Sequence, residues 1–271
     1  MHRTLKLFSL LPILFFSWNS ASAHILVGVP DKFDGNEKEK INVVFGLAEP
    51  LLSLDLSKEK IIAKGYAGNP AVISLSGSVV YKDGTEKGLS TFTPINQKDA
   101  SDKDVGNANA DKAEFVLEKS GTAIIKARMD FNSNKLPTVT FAKTIINWSD
   151  DGQTGKILGD KDIVEIVLLD NPKPAKVGDT LKAQVFLRGQ PLADAEISAT
   201  YDGAPTHKDS EENDYLIAKT DKDGKVSFKM DQVNTWVIAI EYIDKDFESG
   251  NSAYEKGAGV RYRSSIVFRV Q

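Results

Sequence analysis

The chain has 271 residues, no Cys, 34 Lys and Arg against 38 Asp and Glu, and a formal charge of −4. An acidic, well-mixed chain lacks the basic face that nucleic acid or an anionic lipid surface selects. Without Cys there is no thiol catalysis, no thiolate metal site and no disulfide framework, and a chain of this length can bury a core without such staples.

Arg3 and Lys6 form a short basic region, and Leu5 to Phe16 is apolar apart from Lys6, Ser9 and the break at Pro12. Ala21-Ser22-Ala23 then supplies the small residues that a signal peptidase reads. Residues 1–23 are therefore expected to be a secretory signal peptide, cut between Ala23 and His24, that sends the mature protein to the periplasm. A retained anchor would need about 20 apolar residues. No later stretch is apolar enough to span a bilayer, so no direct membrane insertion is expected after cleavage. The mature chain carries 32 Lys and Arg against 38 Asp and Glu, a formal charge of −6.

A mature chain of this length suggests two domains of ordinary size. Val, Ile, Thr and Phe are abundant, there are 20 Gly, and no long helical pattern is present. The expected class is all-β, with two β-sandwich domains. His24 to Pro30 reads as a short edge strand ended by Pro30. Ile41, Val43 and Phe45 alternate as the next strand. Ala71, Ile73 and Leu75, then Val79 and Tyr81, read as a hairpin-rich middle. Residues 96–112 are polar and read as an exposed loop. Phe115 and Leu117 mark a further strand, and Gly121 turns the chain into residues 123–128. Ile163 to Leu169 is a nearly continuous apolar run interrupted only by Glu165, followed by the stiff Asn171-Pro172-Lys173-Pro174. The boundary falls here: an N-terminal sandwich over 24–155, a strand and Pro-rich connector over 156–174, and a C-terminal sandwich over 175–271.

The second half is the more legible. Leu181, Ala183, Val185 and Leu187 alternate with Lys182, Gln184, Phe186 and Arg188, a period near two. Gly189-Gln190-Pro191 supplies a turn before Ala195, Ile197 and Ala199 resume the alternation. Asp223-Gly224 is a hairpin signal, followed by Val226 and Phe228 on one face and then by Trp236, Ile238 and Ile240. Tyr262, Ser264, Ile266, Phe268 and Val270 would close the sheet as its terminal strand.

Candidate chemistry starts from histidine, because the mature chain has only His24 and His207. Cleavage after Ala23 would give His24 a free α-amino group beside its imidazole; the two nitrogens could chelate a metal together, and imidazole suits copper, nickel and zinc. A copper site of the histidine-brace kind needs a second imidazole, for which His207 is the one candidate. The plainer alternative makes both histidines solvated, His24 as the residue after the cut and His207 as part of a polar loop. Asp209, Glu211, Glu212 and Asp214 could offer oxygen ligands to a hard cation, or be ordinary solvated surface. Asp221-Lys222-Asp223-Gly224 lacks the remaining ligands of a calcium loop and reads as a turn. Tyr201, Tyr215, Trp236 and Tyr254 could line a sugar-binding face, although strand spacing makes Trp236 core. There is no Gly-x-Ser-x-Gly elbow, no His-Glu-x-x-His and no phosphate loop, so no enzyme activity is expected.

A set of segments carries a family likeness: Ala23-His24, Asp162 to Leu168 leading to Asn171-Pro172, Val177-Gly178-Asp179, Gly189 to Ala195, Thr220 to Gly224, Asn234-Thr235-Trp236, and Tyr262 to Phe268. Through them the mature chain resembles a large bacterial family of domain-of-unknown-function proteins described as periplasmic components of cobalt/nickel-type uptake systems. The C-terminal half carries the likeness best. The resemblance implies an Ig-like N-terminal and a transthyretin- or Ig-like C-terminal sandwich, a non-catalytic periplasmic role, and membrane metal-transport components as partners. Family members often have a Gly-His-Pro-like element in the first domain. Here the comparable Phe45-Gly46-Leu47-Ala48-Glu49-Pro50 has no His. Three functions stand at this level: a periplasmic binding or accessory protein for a divalent transition metal, a histidine-brace copper enzyme, and a carbohydrate- or protein-binding sandwich without metal.

Overall fold

The computed structural model describes residues 25–48, 72–98, 104–133, 136–148, 163–202, 204, 216–245 and 259–270, which hold sixteen strands and no helix. The first half contributes β1 (Ile25–Pro30), β2 (Lys40–Ala48), β3 (Val72–Tyr81), β4 (Glu86–Gly88), β5 (Phe92–Lys98), β6 (Asp104–Val116), β7 (Ala123–Ser133) and β8 (Leu136–Ile146). The second contributes β9 (Val164–Leu168), β10 (Thr180–Leu187), β11 (Gln190–Pro191), β12 (Glu196–Tyr201), β13 (Leu216–Lys219), β14 (Lys225–Lys229), β15 (Thr235–Asp244) and β16 (Val260–Arg269).

These strands form two β-sandwiches that share one sheet. A central eight-stranded sheet runs β13-β12-β15-β16-β8-β7-β3-β4. Its halves are joined where β16 pairs with β8 in parallel, Arg261 opposite Thr138 through Val267 opposite Thr144. The four-stranded sheet β1-β2-β6-β5 covers one face, and the small sheet of β11, β10 and β14, with β9 on the other edge of β10, covers the opposite face. Successive side chains of a strand point to opposite faces, and β8 uses both. Ala142 and Ile146 join a first core with Leu26, Ile41, Phe45, Tyr81 and Ile125. Phe141 and Ile145 join a second core with Ile166, Val185, Trp236, Ile240 and Phe268. The connection between the parallel strands β8 and β16 is thus the second sandwich itself, since parallel pairing requires a long crossover.

β1 locks the joint. All six of its residues are buried. One edge pairs with β2, and the other leans on the central sheet where β8 meets β16. There Leu26 N–H donates to Thr140 Oγ1 at 3.4 Å, Ser265 Oγ donates to the Leu26 carbonyl at 2.6 Å, and Thr144 Oγ1 donates to the Gly28 carbonyl. Hydroxyls thereby satisfy backbone groups that an edge strand would otherwise leave unpaired. Val27 and Val29 pack on Val237 and Val267 of the second half. At Gly28 a Cβ would stand 2.6 Å from Phe45 Cε1, so the close approach needs glycine.

Several expectations change in the folded chain. Of residues 96–112, expected as a loop, 96–98 lie in β5 and 104–112 in β6, while 99–103 lie outside the described residues; Lys112 is bracketed by Val44 and Thr93. Polar composition concealed the N-terminal part of the strand expected around Phe115: Ala110 is buried, Asp111 half-buried and Lys112 exposed, and the strand runs on with Ala113 and Phe115 buried and Glu114 exposed. The hairpin-rich middle holds one ten-residue strand, β3. β16 is interior to its sheet, with β15 on one side and β8 on the other. The Asp221–Gly224 turn joins strands of different sheets, since β13 pairs with β12 and β14 with β10.

Glu165, the one polar interruption of its apolar run, meets Lys143 of β8. The two side chains form an ion pair with only 4% and 1% of their surfaces exposed. It bridges β9 to the central sheet within the second core's surroundings. Removing one partner of such a pair leaves an uncompensated buried charge. Lys143→Met or Glu165→Gln alone should each cost about 3–5 kcal/mol in urea unfolding, whereas Lys143→Met with Glu165→Leu should restore most of the loss. Equal losses in the single and double variants would contradict the pairing.

Candidate functional site

His24 and His207 both lie outside the described residues, as do Asp209, Glu211, Glu212, Asp214, Tyr215 and Tyr254. The flanking geometry is described. Ile25 opens the buried strand β1, and Tyr201 and Leu216 border the segment that contains His207. Among the described residues no group of three or more His, Asp or Glu could hold a metal ion. Trp236 is fully buried, its ring centroid 5.0 Å from that of half-buried Tyr201. These two rings offer no exposed aromatic row.

One concavity with polar chemistry follows from the stagger of the layers. The small β9–β11 and β14 sheet covers only the C-terminal half of its face of the central sheet, so the same face of β7, β3 and β4 stays open. Ser74, Ser76 and Ser78 alternate outward along β3, opposite Asp130, Arg128 and Lys126 of β7. A hollow of about 390 Å³ opens over Ser76, Ser78, Glu86, Lys126, Arg128 and Phe141, within the size range of small-molecule sites. Its floor is small because serines stand where a strand usually places β-branched or aromatic residues.

Charges in the hollow are matched. Arg128 Nε lies 2.9 Å from Asp130 Oδ1, and its guanidinium stands 5.7 Å over the Phe141 ring. Lys126 Nζ is 3.9 Å from Glu86 Oε1, and Ser78 Oγ donates to the same carboxylate. The arrangement offers interleaved donors and acceptors, with no imidazole or thiol to activate a nucleophile. Elsewhere, Arg188 after β10 pairs with the largely buried Asp244 at the end of β15. Burial pushes the Tyr262 hydroxyl above the usual phenol range; Asp244 adds to the shift, and Arg188 and Arg128 oppose it. The phenol therefore stays protonated at neutral pH. The period-two serines of β3 were visible in the sequence, but only the register with β7 shows what they face.

A second charged group sits by the start of β1. Arg263 Nε donates to Glu241 Oε2 at 2.8 Å, and Arg261 Nε lies 3.5 Å from Glu241 Oε1. Arg263 is opposite Thr140 and Arg261 opposite Thr138, on the face that receives β1.

Comparison with known proteins places the chain. A family model described as a domain of unknown function, DUF4198, matches residues 21–244. The chain belongs to the DUF4198 family. No curated protein sequence matches it. Among solved structures it is similar to the D0–D1 domain of intimin, at 14% identity, with 90% of this chain and 97% of that one covered and a TM-score of 0.24. It is also similar to a DUF4785 family protein from Legionella pneumophila, at 10% identity and TM-score 0.29, covering 87% of this chain and 54% of that one. The adhesin InvE of Yersinia pseudotuberculosis matches at 12% identity and TM-score 0.22, with 90% and 58% covered.

The Asp221–Gly224 segment of this DUF4198 chain has the chemistry of a turn. Asp221 Oδ1 accepts from the backbone N–H groups of Asp223 and Lys225, each at 2.8 Å. Gly224 has φ of 73°, and a Cβ there would meet the Val185 carbonyl at 2.6 Å. The Lys225 N–H bond, above all, holds the Asp221 carboxyl below its ordinary value of 3.8. A depressed carboxylate stabilises the fold above its unfolded pKa and loses that contribution as pH falls through the folded pKa. Asp221→Ala should therefore lower Tm at pH 7, with the gap to wild type closing below pH 3.8. Calcium or EDTA should leave the gap between the two melting curves unchanged.

Proposed function

We propose that the protein is a non-catalytic periplasmic binding or accessory protein whose mature amino terminus, His24, takes a divalent transition metal: nickel, cobalt or copper. The α-amino and imidazole nitrogens would be the ligands, with His207 as a weaker contributor. Membrane components of a metal-uptake system are the proposed partners. One observation carries most of the reading. β1 is buried at every position from Ile25 onward and its free edge is held by Thr140, Thr144 and Ser265. A cut after Ala23 would therefore leave the chelating residue directly attached to a fixed strand, which lowers the ordering cost of binding. The alternative copper enzyme requires His24 and His207 together, and nothing in the described geometry favours it.

The test is titration of Ni²⁺, Co²⁺ and Cu²⁺ into protein purified from the periplasm, its N-terminus verified by mass. The expected result is a dissociation constant tighter than ~100 μM, weakened at least tenfold in His24→Ala and in an N-terminally extended form that lacks the free His24 amine. No binding at that level, or equal affinity in His24→Ala, would remove the metal role.

The serine hollow supports a second reading, a carbohydrate-binding sandwich without metal. Its paired donors and acceptors suit a ligand whose hydroxyls both give and accept hydrogen bonds. On a glycan array any saccharide bound through the hollow should be lost in Arg128→Ala and in Ser76→Leu. Binding that survives both changes, or no binding at all, would count against it.

A further inference from the structure

A different cleft lies where the first turn, the connector and the last strand converge. Phe33 and Asp34 come from the β1–β2 turn, Trp148 follows β8, Lys173 belongs to the connector, and Phe268 and Arg269 end β16. Its enclosed part is about 20 Å³, room for one water-sized group, and it is open at the mouth. The turn wall is fixed by Asn147. Its backbone N–H donates to the Phe33 carbonyl at 2.9 Å, its Nδ2 donates to the Gly35 carbonyl at 2.7 Å, and its Oδ1 accepts from Gly35 N–H at 2.7 Å.

Trp148 is only 7% exposed, and its Nε1–H is buried with no hydrogen-bond acceptor among the described residues. The other described indole, Trp236, donates to the Gln232 carbonyl at 3.0 Å. A buried donor without an acceptor is uncommon in a native fold and marks a place that a bound group can complete. The rim supplies charge. Lys173 Nζ lies 2.7 Å from Asp34 Oδ1, and Arg269 Nη1 donates to Thr235 Oγ1 at 3.1 Å. Among the described lining residues two cations stand against one carboxylate, a locally positive mouth on an acidic chain. The Lys173–Asp34 pair is exposed, at 43% and 50%. Such pairs hold weakly, so the mouth can widen without disturbing the sheets.

We propose that this cleft binds a small organic carboxylate. One carboxylate oxygen accepts the Trp148 Nε1–H, Lys173 and Arg269 balance its charge, and the hydrocarbon part rests at the mouth against Phe33. The site is independent of the His24 metal role and of the serine hollow.

The probe is sodium acetate, titrated at constant ionic strength into the ¹⁵N-labelled mature chain, with the two indole N–H resonances assigned through Trp148→Phe. Acetate should move the Trp148 indole resonance saturably, with a dissociation constant roughly in the millimolar range for so small a ligand, and leave Trp236 in place. Lys173→Gln and Arg269→Gln should each weaken binding at least fivefold. Acetamide, which has the acceptor without the charge, should bind at least tenfold more weakly. The proposal is overturned if Trp148 does not respond saturably, if chloride or acetamide matches acetate, if Trp236 moves equally, or if neither surface variant alters the response.

Discussion

The parallel pairing of β8 with β16 is the constraint on which the rest of the structure depends. It joins strands from the two halves of the chain into one sheet, so neither sandwich owns its central layer. Because side chains alternate, β8 must carry apolar residues toward both cores, and β16 must do the same. Tyr262, Ile266 and Phe268 face the second core, while Ser265 and Val267 face β1. A joint of this kind would expose the free edge of β1 to a dry environment. The hydroxyls of Thr140, Thr144 and Ser265 prevent that by replacing the missing strand partner, which is why small hydroxyl residues occupy buried positions of β8 and β16.

The same joint explains where polar groups collect. Two covering sheets placed on opposite faces and over opposite halves leave part of each face open. The open face beyond β8 carries Ser74, Ser76, Ser78, Lys126 and Arg128, and the hollow there is a consequence of coverage stopping short. Where coverage is complete, charge must be paired internally, as Lys143 and Glu165 are. A well-packed apolar pair could replace them at little cost. Their value on this geometry is to define which strand meets which, since β9 slipped by one residue would turn Glu165 away from Lys143.

Legibility in the sequence follows from solvent exposure. β10 and β14 have one face in water, and their period-two patterns, Leu181-Ala183-Val185 and Val226-Phe228, match the buried positions. From Lys112 onward β6 has the same exposure, but Asp104 to Lys112 contributes so few large apolar residues that composition pointed to a loop. Its strand state comes from neighbours on both edges, β2 and β5. β8 carries Thr138, Thr140, Lys143 and Thr144 inward, and no periodic rule anticipates buried hydroxyls and a buried ammonium. The Trp148 cleft was equally invisible, because its members come from four distant segments that meet only in the fold.

What the sequence determined by itself was the class, the strands with one wet face, and the turns whose glycines need positive φ, such as Gly224. Those features are local: they depend on a residue's own backbone freedom and on which of its two faces meets water. Only the tertiary structure decided that the two sandwiches share a sheet, that Glu165 answers Lys143, that the Asp221–Gly224 turn carries the chain from one sheet to another, and that Trp148 stands beside Lys173 and Arg269. Each of these is a pairing between residues far apart in the chain, and a pairing energy exists only once both partners have been brought to the same place.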